Sequence, residues 1–147
     1  MSVLLGSEVA AQVIWEEVST LPEVTSAVES RLFGMSVVPA SAPLPAGRFY
    51  PVASSYPDGP ISGPASVETL SIVVAFTCKG TSTGPIRSAV EAQYTALAGK
   101  TFERVIDGAT YVLDFTEEAE AIPTTEYEAG EYRRTLGTRY RVNVTRG

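Results

Sequence analysis

The sequence predicts an α+β fold: a mostly antiparallel β-sheet with two helices packed on one face and a long Pro-rich loop. Three observations carry this. Residues 70–78 (Leu-Ser-Ile-Val-Val-Ala-Phe-Thr-Cys) alternate with the period of a strand. Residues 86–97 place Ile86, Val90, Tyr94 and Leu97 on one helical stripe. Residues 109–115 and 140–144 then alternate again, so strands flank a helix without the regular βαβ rhythm of a parallel sheet.

Taken in order, residues 8–20 read as a helix with Ser7 as its N-cap, because Val9, Val13 or Ile14, and Val18 recur at helical spacing while Glu16 and Glu17 face water. Trp15 is expected in the core or at a subunit contact. Leu21-Pro22 ends this helix, residues 24–31 suit a second short one, and residues 32–38 suit a strand. Seven of the ten prolines then fall between Pro39 and Pro64, with Gly47, Gly59 and Gly63. Proline has no N–H for a ladder, so residues 39–66 are expected to be an extended loop, with only residues 48–56 able to pair as a strand.

In the strand at 70–78, Leu70, Ile72, Val74, Phe76 and Cys78 share one face, and Val73 and Ala75 make the other partly apolar. Gly80-Thr-Ser-Thr-Gly84 is a turn, Pro85 suits the first position of the next helix, and Gly99 suits its C-terminal end. Tyr111, Leu113 and Phe115 form one face of the next strand. Tyr140, Val142 and Val144 form one face of the last, with Arg139, Arg141 and Asn143 turned outward. Between them residues 114–131 read as an acidic loop.

Composition narrows the chemistry. The 147 residues suit one domain over 1–147, able to bury roughly 70% of its unfolded surface. A net charge of −6 disfavours nucleic acid or an anionic membrane as the main ligand. The opening residues lack a basic stretch before an apolar one, and no run approaches the ~20 apolar residues of a membrane span. With the lone Cys78, expected in the core, this suggests assembly in a reducing cytoplasm. Histidine is absent, which removes the commonest general base and metal ligand, so neither an enzyme nor a cofactor or metal site is expected.

Two constellations remain. No Lys or Arg lies between Arg104 and Arg133, whereas seven acids fall from Asp114 to Glu131, and five of the eleven basic residues occupy the last fifteen positions. Asp114, Glu117, Glu118 and Glu120 could serve as a carboxylate pair for hydrolysis or hold a divalent cation. The plainer expectation is a solvated acidic loop facing arginines. Arg133, Arg134, Arg139 and Arg141 suit bidentate pairing with carboxylates, in the same subunit or a neighbouring one, better than nucleic acid, because no aromatic residues interleave on that face. These eight residues are the candidate subunit interface. The Lys79-Gly-Thr-Ser-Thr-Gly84 segment lacks the Lys and hydroxyl that a phosphate cradle needs after its last glycine; Pro85 and Ile86 stand there instead.

The layout resembles the tail terminator (tail completion) proteins of long-tailed bacteriophages. A helix precedes Arg31-Leu-Phe-Gly-Met-Ser-Val-Val-Pro-Ala-Ser-Ala-Pro-Leu-Pro45, then a Pro-flanked strand (Phe49-Tyr-Pro-Val-Ala-Ser-Ser-Tyr56), a long strand at 69–79, a helix at 86–97 and a final pair of strands. The ending Tyr132-Arg-Arg-Thr-Leu-Gly-Thr-Arg-Tyr-Arg-Val142 is most like the family. The resemblance implies a structural virion protein, commonly a homo-hexameric ring, at the head-proximal end of the tail. Such a ring stops polymerisation of the tail tube protein and offers a docking surface to the head–tail connector. DNA would pass through its lumen without specific binding. The alternatives are another neck, head-completion or tail tube protein, or a small cytosolic ligand-binding domain or enzyme using the acidic loop.

Overall fold

The computed structural model describes residues 6–35, 38–39, 41–55, 66–128 and 130–146, the side chains of 53–55, 66, 120–123 and 128 excepted. In chain order it contains α1 (Gly6–Val18), α2 (Pro22–Val28), β1 (Leu32–Phe33), β2 (Ala46–Ser55), β3 (Ser66–Lys79), α3 (Gly84–Leu97), β4 (Thr101–Ile106), β5 (Ala109–Glu128) and β6 (Glu131–Arg146). The strands form one six-stranded sheet in the order β1-β2-β3-β6-β5-β4. Every pairing is antiparallel except that of β1 with β2. The predicted α+β class is the one observed, with the short α2 added to the helical layer.

The strand period decides what is buried. Leu70, Ile72, Val74, Phe76 and Cys78 of β3, Leu113 and Phe115 of β5, and Tyr140, Val142 and Val144 of β6 make one apolar face. Val9, Val13, Ile14 and Val18 of α1, Val24 and Val28 of α2, and Ile86, Ala89 and Leu97 of α3 close over it. Phe115 meets Tyr140 edge-on at 5.9 Å and Phe102 at 5.4 Å, continuing the layer into β4.

Gly137 sets the closeness of the central pair. It lies opposite Ala75, and a Cβ there would press into the Val74 carbonyl and come within 2.7 Å of the Ala75 Cα. Gly99, at φ +70°, follows α3 and lets the chain turn into β4, as a residue past a helix end must.

Several expectations change. α1 starts at Gly6, so Ser7 lies inside the helix rather than capping it. The first N–H is held instead by the buried Glu68 of β3, whose Oε2 accepts from Gly6 N at 2.7 Å. That carboxylate opposes the positive end of the helix dipole. Trp15 is 46% exposed on α1, not in the core. The buried stripe of α3 runs through Ile86, Ala89, Gln93 and Leu97, with Tyr94 on its wet side. The strand expected at 32–38 shortens to the two residues of β1, and positions 36 and 37 fall outside the described residues, as do position 40 and residues 56–65 of the Pro-rich excursion.

The largest correction concerns residues 114–131. They are not a loop: β5 runs unbroken to Glu128 and pairs with β6 down to Glu128 opposite Glu131. Bulges between Glu117 and Ala119 and between Ala121 and Thr124 absorb the extra residues.

Candidate functional site

The β5–β6 hairpin brings the acidic and basic residues side by side within one subunit. Arg141 lies opposite Thr116, Arg139 opposite Ala119, Arg134 opposite Thr125 and Arg133 opposite Glu126. Because the core side chains of β6 alternate with them, Arg133, Arg139 and Arg141 point to the face that no described helix covers. Asp114 and Glu118 join them there.

On that face Glu118 is the most engaged acid. Its Oε2 accepts from Ser71 Oγ at 2.8 Å and pairs with Arg139 Nε at 3.4 Å. Asp114 accepts from Thr101 Oγ1 at 2.6 Å, which ties β5 to β4. Lys79 reaches Glu131 at 3.6 Å, and Arg48 stacks its guanidinium 5.7 Å from the Tyr50 ring centre. Arg141 is exposed and Arg133 half-buried. The result is a mixed-sign surface of polar and charged residues over Thr69, Ser71, Thr77 and Thr135.

The other candidates part from this group. Glu117, one residue before a bulge, faces the helices and accepts from Tyr94 OH at 2.6 Å. Arg134 turns toward the same side, donating to the Thr81 carbonyl at 3.0 Å. For Glu120 only the backbone is described, opposite Thr138. The eight residues therefore make no single cluster. Among the described residues, no three or more His, Cys, Asp or Glu side chains group as metal ligands do.

A buried polar link lies behind the face. Tyr140 OH donates to Gln93 Oε1 at 2.7 Å, and Gln93 Nε2 donates to Thr138 Oγ1 at 2.9 Å, joining α3 to β6. Burial pushes the Tyr140 phenol well above its usual range, against the opposing effect of its hydrogen bonding with Thr138 and Gln93. Burial likewise raises the Cys78 thiol, partly offset by the charge of Arg134. Both groups are protonated and structural at neutral pH.

Sequence reasoning missed two features. One is β4, whose hairpin with β5 turns through Asp107 and Gly108, both at positive φ. An Asp-Gly pair between alternating segments is a strong hairpin signal and was present to be read. The other is the free edge of β5. β4 pairs only with residues 109–114, and Phe115 then bonds to the approach of β4, donating to Lys100 O and accepting from Gly99 N at 2.9 Å each. Among the described elements nothing pairs with that side of β5 from Thr116 to Glu128.

No protein-family model matches the chain, and no curated protein matches it. Its fold is similar to a chain solved in the virion of a native gene transfer agent (GTA) particle. The two superpose with a TM-score of 0.50 over 88% of this chain and 91% of that one, at 13% sequence identity. That likeness is one of fold. It spans nearly the whole of both chains.

Proposed function

We propose that this protein is a structural, non-enzymatic component of a phage-type virion. In this reading a single-domain subunit assembles into a ring, commonly of six copies, that caps the tail tube, stops its growth and presents a docking surface to the head connector. The observation that carries the reading is the near full-length likeness in fold to a chain of a gene transfer agent virion. It agrees with the tail-terminator layout of the sequence, above all the ending at residues 132–142.

The surface chemistry is consistent with that role. The subunit is acidic, and an acidic inner wall would repel DNA and let it pass without sticking. The open sheet face, with Arg133, Arg139 and Arg141 beside Glu118 and Glu126, is the candidate contact between neighbours. Its mixed sign suits the two different patches that a closed ring requires. The eight candidate residues already stand in one hairpin, so the acids and arginines of one subunit complement each other first. Arg141, exposed, is the member best placed to reach across.

The test is deletion of the gene from its parent particle, with tail lengths measured by electron microscopy. Overlong, headless tails are expected. Normal-length tails that fail to join heads would move the protein to the neck, and normal infectious particles would refute the structural reading.

A further inference from the structure

We propose that the open edge of β5 receives an extended, basic segment of another protein as an added strand, in line with β4 and beside α3. This goes beyond the ring and does not depend on it.

The backbone geometry defines the edge. Phe115 turns both its N–H and its C=O away from β6, toward residues 99 and 100. Groups on an antiparallel strand alternate, so Glu117 is the next residue to aim both groups outward. Beyond the two bulges the register with β6 can be followed from the far side. Tyr132 aims its C=O at β3, accepting from Gly80 N at 2.7 Å, so its partner Tyr127 faces the open side, and Thr125 and Glu120 share that phase. Four residues thus offer donors and acceptors that the subunit's own sheet does not use.

There is room beside them. A cleft of about 490 Å3 lies just ahead of Thr101, where β4 begins, between Tyr94 and Thr95 of α3, Ala98 beyond its end, and Lys100, Thr116 and Glu117. A strand entering it would continue the path of β4. Further along, Tyr127 and Tyr132, 66% and 50% exposed with ring centres 4.9 Å apart, offer an aromatic platform at the hairpin end.

The occupant follows from what the edge excludes. A second copy of the same edge would bring this acidic stretch, with Glu117, Glu118 and Glu126, alongside another like it, and like charges across a ladder destabilise it. The edge of β2 is a poor partner. Gly47 spends its outward N–H on Arg31 O at 2.8 Å, Pro51 in the same phase has none, and a bulge follows. An extended segment with Lys or Arg at alternate positions meets neither obstacle. It would lie along a stretch, residues 105–132, that contains no basic residue. Main-chain bonds would supply affinity and the carboxylates selectivity.

The probe is a peptide of about ten residues alternating Lys and Val, a usual strand length. It is compared with its Glu-for-Lys twin and a fully N-methylated version, and binding to the whole chain is read by anisotropy and amide hydrogen exchange. The basic peptide is expected to bind and slow exchange at Glu117, Glu120, Thr125 and Tyr127. Thr125→Pro, which removes one outward donor and no bond to β6, should weaken it about tenfold. Should that variant fail to fold, the N-methylated peptide asks the same question of wild-type protein, with a loss of binding expected. No binding by the basic peptide, binding without protection of those amides, or equal binding of the acidic or methylated peptide would overturn the proposal.

Discussion

Tyr140 shows how one side chain can serve the apolar and the polar architecture together. Its ring packs edge-on against Phe115 while its hydroxyl reaches Gln93 on α3. Tyr140→Phe keeps the ring and leaves the buried Gln93 oxygen without its donor. The expected cost is about 1–3 kcal/mol, or a melting temperature lower by roughly 3–10 °C, measured by calorimetry. The pH dependence has a definite sign. The folded phenol ionises above its ordinary range and an unfolded tyrosine near 10, so this contribution is whole below about pH 10 and is lost as pH rises further. Wild-type protein should therefore lose stability in alkali more steeply than Tyr140→Phe. Equal slopes would remove Tyr140 as the cause.

Among the elements, β3 and β6 are the pair on which the sheet turns, and Gly137 permits their contact. Gly137→Ala is expected to cost at least about 1–3 kcal/mol, because the methyl group meets backbone that cannot rotate aside. A chemical denaturation curve unchanged in midpoint would contradict this. At the same scale, the sequence was most readable where burial enforces a period. The two strands at 70–78 and 140–144 and the helix at 86–97 emerged from alternating or helical spacing alone. It was least readable where charge concealed structure. β5 beyond Phe115 is a strand because β6 supplies its hydrogen bonds across the chain, and nothing in Thr-Glu-Glu-Ala-Glu announces that partner. Nor do local residues explain the start of α1, since the group that holds its first N–H lies in β3, at Glu68. The eight candidate interface residues stand near one another in sequence, but the alternation of the strand sets Asp114, Glu118, Arg133, Arg139 and Arg141 on one face and Glu117 and Arg134 on the other. No count of charges could have made that division without the register.

For the whole molecule, the open face is the surface whose loss should be felt in assembly and not in folding. Arg139 pairs with Glu118 across a partly exposed gap of 3.4 Å, and such pairs contribute about 0–1 kcal/mol. Replacing both Arg139 and Arg141 with Glu should therefore leave the circular dichroism spectrum intact and lower stability by no more than about 1–2 kcal/mol. Mass photometry or electron microscopy should show impaired ring assembly. Normal rings from that variant would remove the open face as the subunit contact while leaving the virion role standing.

The order of the strands also divides the molecule in time. β2 and β3 pair with each other nearby in sequence, and β4, β5 and β6 run as a local meander, so each half can form early from short-range contacts. Within the sheet the halves join through the ladder of β3 with β6, which sets Ser66 opposite Arg146. Closing so distant a contact is slow. Until it closes, β3 and β6 each show a bare edge to every other copy in the cell. Crowded synthesis would therefore test this ladder harder than heat does.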